Sequence, residues 1–223
     1  MNSVHDFGGM QGYGPVIPDD GNEPKFVHDW ERGAFGLNLM LQVAGLFNAD
    51  TSRHAMEKIE PIHYLTSPYY LHWMESYEDI LVAKGIATRE ELRTGKATEP
   101  LPEWARNKEL PPNEDLGKIV RGYIDTTGEA RAPRKFGIGE KIRSVNNHPK
   151  GHTRLPAYAR GRIGTITATR EAFVYADQRA HSAGEDPQWI YSVRFDAEEL
   201  WGADADGRGA VYLDLYEPYM QAL

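Results

Sequence analysis

Residues 151–166 read GHTRLPAYARGRIGTI and place one histidine, one tyrosine and three arginines among glycines, just ahead of a β-branched run. Guanidinium groups in a glycine-rich loop are suited to one task above others, the bidentate grip of an anion. The chain around them is acidic, with a formal net charge of −8. Between Arg131 and Arg170 stand ten Lys/Arg and one acid, Glu140, whereas the other 183 residues hold 15 basic groups against 32 acidic ones. Such asymmetry fits a nucleic-acid face, a surface matched to an acidic partner, or arginines aimed at one small anion.

Other chemistry is scarce. The chain contains no cysteine, so it cannot supply a thiolate nucleophile, a disulfide or a cysteine-held metal. Its histidines are His5, His28, His54, His63, His72, His148, His152 and His181, and no pair of them forms an HExxH pattern. The DADG at 204–207 lacks the later ligands of a calcium loop and reads as a turn. No phosphate-binding glycine loop or nucleophile elbow is present, so the chain alone shows no catalytic engine.

The elements that must position these residues follow from pattern. Residues 1–25 are rich in Gly, Pro and Asp yet carry Phe7, Met10, Tyr13, Val16 and Ile17, as expected of an extended arm lying on a surface. From Ala34 to Phe47, ten of fourteen residues are apolar and spread around the helical wheel, so this helix needs cover on nearly all sides and hints at a partner subunit. A second helix is expected after Asp50, running through TSRHAMEKIE until Pro61 stops it, with Arg53 and Glu57 on one face. Ser67 and Pro68 open a third helix, YYLHWMESYEDILVAK, which ends near Gly85. Thr88 and Glu91 form a capping box. One more helix is expected over 113–121.

After about residue 130 the texture changes to short β-branched or aromatic runs, EKIRSV, RIGTITA, WIYSVRF and AVYLDLY, separated by turn residues. The expected fold is therefore α+β: an N-terminal extended arm (1–25), a helical domain (26–95), a connector (96–130) and a small SH3-like antiparallel β-barrel (131–223). No run of eighteen apolar residues exists and no secretion signal is visible, so a cytoplasmic location without membrane contact is expected.

Three long motifs carry a resemblance. MNSVHDFGGMQGYGPV at the start, SRHAMEKIEPIHYLTSPYYLHW, and GHTRLPAYARGRIGT together resemble the β subunit of nitrile hydratase, and the closing EELWG and YLDLYEPY do as well. The resemblance implies an enzyme that hydrates a nitrile to an amide at a low-spin Fe(III) or non-corrin Co(III) centre. That metal would be held by a partner α subunit with a C-x-x-C-S-C motif, in an α2β2 assembly, and not by this chain. Two of the partner's cysteines would be oxidised, and by motif match Arg53 and Arg154 would hydrogen-bond their oxygens. Tyr69 would line the substrate pocket, and Glu57, His72 and His152 would tune the site or relay protons. Ala49 and Ser52 depart from the family, whose members carry bulkier apolar residues beside the pocket, so a wider pocket mouth is expected. Two other readings stay open on sequence: an RNA-binding SH3-like module, and a thiocyanate-hydrolase-type subunit. The acidic remainder of the chain counts against nucleic acid, and the fusion of both β-like segments in one chain counts against thiocyanate hydrolase.

Overall fold

A computed structural model describes residues 1–10, 12–18, 21–106, 108, 117 and 126–223. The helix expected over 113–121 lies outside the described residues. The chain divides into two units: a helical one, Ser3–His5 with Met10–Asp125, and a β-rich one, Thr126–Leu223 with Met1–Asn2 and Asp6–Gly9. The N-terminal arm thus contributes to both.

In the helical unit, α1 spans Asp29–Val43, α2 Ala49–Met56, α3 Pro61–Thr66, α4 Tyr69–Ala83, α5 Arg89–Thr94 and α6 Glu103–Arg106. The second helix starts earlier than the sequence indicated, because Asn48 accepts from the N–H groups of Asp50 and Thr51 at 3.0 and 2.9 Å and so caps it. It also ends sooner, at Met56, and Pro61 opens α3 rather than merely closing α2. A proline at the first helical position loses nothing, since its N–H would be unpaired there anyway. Gly85, at φ +65, turns the chain out of α4 as expected, with Ile86 N–H returning to the Leu81 carbonyl. The Thr88–Glu91 capping box forms as read.

Phe47, Ala55, Tyr77 and Ile80 make the core of this unit, and the Phe47 and Tyr77 rings stack with centroids 5.4 Å apart. Helix α1 inverts the usual pattern. Its buried residues include Glu31, Asn38 and Gln42, with the Gln42 amide donating to Asn38 at 2.8 Å, while Trp30, Phe35, Leu37 and Met40 are left exposed. Trp30, Leu37 and Met40 share one side of the helix, whereas the Phe35 ring packs against Phe26 and Trp73, so it is the side bearing Trp30, Leu37 and Met40 that is incomplete on a single chain.

The β-rich unit holds β1 (Lys141–Ser144), β2 (Ile163–Phe173), β3 (Gln188–Asp196), β4 (Ala210–Tyr216) and β5 (Met220–Ala222), with short helices α7 (Ala176–Arg179) and α8 (Ala197–Trp201) in the connections. All pairings are antiparallel and the sheet order is β4-β3-β2-β1-β5. The expected closed barrel is not found, because β4 and β5 form the two edges and exchange no ladder. The sheet is nonetheless strongly curled. Only the short turn Glu217–Tyr219 joins its opposite edges, and that reach is less than the roughly 19 Å separating the edges of a flat five-stranded sheet. Register shifts in β2 between Ile166 and Ala168 and between Thr169 and Ala172 supply the bend.

The concave face buries Ile142, Ile166, Tyr191, Val193, Phe195 and Leu215, closed by Leu155, Ala159, Leu200, Tyr219 and Met220. Leu155 and Tyr219 belong to this core, which anchors the segment carrying Arg154.

Candidate functional site

In the helical unit the site residues gather on α2 and the start of α4. Arg53 is half-exposed, and its Nη1 lies 3.1 Å from Asp50 Oδ1, one turn back. The face sharing of Arg53 with Glu57 does not become an ion pair. Glu57 is buried, with His54 Nδ1 3.2 Å from one carboxylate oxygen and His5 Nε2 3.8 Å from the other. A buried carboxylate between two imidazoles gains from whatever charge or hydrogen bond they offer. The His5 contact fixes one point of the N-terminal arm to α2.

Tyr69 is the first residue of α4 and is 63% exposed. Its ring meets Tyr70 and Trp73 edge-on, with centroids 5.3 and 5.6 Å apart. It lines a cleft of about 810 Å³ together with Phe26, Val27, His28, Phe35 and Tyr70. Pro68 sets the geometry, holding the chain extended immediately before the helix. His72, one turn on, is buried and stacked flat on Tyr64 at 4.4 Å. Its Nε2 has no hydrogen-bond partner among the described residues, and burial holds its pKa below the ordinary imidazole value, so the ring is neutral at pH 7. Ala49 is half-buried at the start of α2, and Ser52 is buried within that helix.

In the β-rich unit, residues 151–160 form a loop held at several points. A Cβ on Gly151 would come within 2.6 Å of His181 Nε2, so any larger residue there would have to displace that ring. That same nitrogen accepts the backbone N–H of His152 at 3.1 Å, and the His152 ring is buried. The Arg154 backbone N–H donates to Tyr219 Oη at 2.9 Å, and the Thr153 hydroxyl lies 3.3 Å from the same oxygen. Tyr219 in turn donates to Asp177, whose carboxyl is pushed up from its ordinary value by burial. The Arg154 side chain is exposed and has no ion pair or hydrogen bond among the described residues. A rigid backbone thus presents an uncommitted guanidinium.

The other two arginines of the segment differ from it. Arg160 is buried with its side chain 2% exposed, donating to the Leu155 carbonyl and pairing with Asp6. Arg162 is exposed and its backbone alone joins the Ser144 ladder. Sequence reasoning did not find the supports Tyr219, Asp177 and Asp6. Only their residue types, a tyrosine and two acids able to hold backbone N–H groups and guanidinium, could have drawn notice.

Comparison with known proteins agrees along the whole chain. Residues 1–116 match the family model for the N-terminal part of the nitrile hydratase β subunit, and residues 125–222 match the model for its C-terminal part. The chain is 38% identical to the nitrile hydratase β subunit of Pseudomonas putida, over 99% of both chains. It is 39% identical to the cobalt-containing nitrile hydratase β subunit of Pseudonocardia thermophila, over 99% of this chain and 96% of the relative. Similarity to the thiocyanate hydrolase α subunit of Thiobacillus thioparus, at 31% identity, extends over only 32% of this chain and 57% of that one. The chain belongs to the nitrile hydratase β-subunit family.

Proposed function

We propose that this chain is the β subunit of a cytoplasmic nitrile hydratase, converting nitriles to amides only when paired with an α subunit, as an α2β2 assembly. The observation that carries the reading is family similarity over nearly the full length, 1–116 and 125–222. The exposed apolar face of α1, with Trp30, Leu37 and Met40, supports the need for a partner.

The metal, Fe(III) or Co(III), would belong to the partner, and two relatives are named as cobalt-containing. When bound there it supplies Lewis-acid polarisation of the nitrile carbon toward attack by water or a sulfenate oxygen. This chain's residues fit a supporting part. Having no cysteine, it offers no thiolate to hold the ion, but it has guanidinium groups to hold anionic ligands of it. Arg154, uncommitted among the described residues, and Arg53, shared only with Asp50, donate to the oxygens of oxidised cysteines on the partner. Tyr69 lines the path of the substrate and offers its hydroxyl to the bound nitrile or to the partner. Neutral His72, with His152 and Glu57, tunes the site and moves protons toward the nitrogen that becomes the amide.

Co-expression with the α chain from the same source tests this. Expected is a stable complex with one metal per heterodimer that releases amide from a small nitrile. A metal-loaded complex without hydration activity, or chains that fail to associate, would refute it.

A further inference from the structure

The loop bearing Arg154 is closed on itself by a second arginine. Arg160 directs Nε and Nη2 to the Leu155 carbonyl at 3.3 and 3.1 Å, one residue past Arg154. Its Nη1 donates to Asn2 Oδ1 and to His148 Nδ1, the latter at 3.1 Å. Asp6 completes the arrangement: its Oδ2 lies 3.7 Å from Arg160 Nη2 and accepts the Ala157 N–H at 2.8 Å. The two side chains are only 2% and 14% exposed. His148 Nδ1 also meets Asn2 Nδ2 at 2.9 Å, while its Nε2 faces Asn146 Oδ1 at 3.1 Å, so Nδ1 is the acceptor and Nε2 carries the proton. Downstream, Ser144 Oγ donates to the Ala159 carbonyl.

A planar fork with five donors satisfies this set of acceptors at fixed angles, which a lysine ammonium cannot do. The contacts of Arg160 lead to the Leu155 carbonyl, to the His148 ring and to Asn2 and Asp6 of the arm, and among the described residues none is with an exposed acid. The Arg154 guanidinium, six residues earlier, is bound by none of them. The arrangement therefore restrains where Arg154 starts without consuming its charge.

We propose that Arg160 and Asp6 are positioning residues: a buried clamp between the N-terminal arm and the 154–160 loop that fixes Arg154 for its anion. The inference rests on the reading of Arg154 given above. Geometry of this kind matters because a donor to an anion beside a reacting centre loses much of its effect when displaced by about 1 Å.

The test uses the metal-loaded α/β complex carrying Asp6→Ala or Arg160→Lys, each alone and combined with Arg154→Lys. Amide hydrogen exchange over 152–160 reports the clamp, and the split between kcat and KM reports its consequence. Expected are faster exchange at Ala157 in the Asp6→Ala complex, a kcat lowered about tenfold in both single variants, and no further fall on the Arg154→Lys background. If Arg154→Lys is impaired but the clamp variants keep full turnover, or their losses multiply with it, positioning is overturned. Full turnover of Arg154→Lys itself would instead overturn the role of Arg154, whatever the exchange data show.

Discussion

Tyr219 holds Arg154 by its backbone: the phenolic oxygen accepts the Arg154 N–H at 2.9 Å while the hydroxyl donates to buried Asp177. Tyr219 is itself part of the sheet core, in the turn that joins the two sheet edges. The position of an exposed, uncommitted arginine is thereby tied to the packing of the whole β-rich unit.

Replacing Tyr219 with Phe keeps the ring but leaves the Arg154 N–H and Asp177 each short of a partner. The expected loss is about 1–3 kcal/mol, or about 2–4 °C in Tm per kcal/mol for a chain of this size. Thermal unfolding of the assembled complex measures it, and an unchanged Tm would show that the bonds contribute nothing net.

Asp177 gives a pH signature. Burial raises its carboxyl pKa above 3.8, outweighing Tyr219, His152, Thr153 and Tyr175, which favour the charged form. The folded state then binds the proton more tightly than the unfolded one, so this group's stabilisation is complete below 3.8 and is lost as pH rises through the folded pKa. Asp177→Asn, still able to accept from Tyr219, should flatten that decline in urea-unfolding free energy. A slope identical to the parent's would contradict the assignment.

Arg53 separates stability from function. Its ion pair with Asp50 is half-exposed, and such pairs contribute about 0–1 kcal/mol. Arg53→Ala should therefore unfold within a few degrees of the parent while hydration falls about tenfold or more. A proportionate loss of both would reduce Arg53 to a structural residue.

The proposed place of Ala49 and Ser52 beside the pocket gives a prediction on substrate range. With small residues at these positions, bulky or aromatic nitriles should be hydrated, and the aromatic cleft beside Tyr69 favours such rings. Relative rates for a small aliphatic nitrile and benzonitrile check this; complete rejection of benzonitrile would refute it.

Local signals were readable where neighbours in sequence are neighbours in space. The Thr88–Glu91 box and the four runs that became β1 to β4 follow from pattern alone. Helix boundaries were less legible at α2, where the asparagine cap at 48 outcompeted Asp50, and at α3, where Pro61 begins a helix. Barrel closure could not be read, because bulges in β2 and a three-residue turn decide how far the sheet curls. Motif match brought Arg53, Tyr69 and Arg154 forward as site residues. Their supports escaped notice because Asp6 meets Ala157, and Arg154 meets Tyr219, across 151 and 65 positions of chain. Nor could any pattern foretell which of three neighbouring arginines is buried and which is offered outward.

The most direct test is Arg154→Ala in a co-purified, metal-loaded α/β complex, with metal content and assembly verified beside the rate of amide formation. The expected result is an intact complex with normal metal and a hydration rate lowered at least about tenfold. Near-normal turnover in that same intact complex would contradict the account.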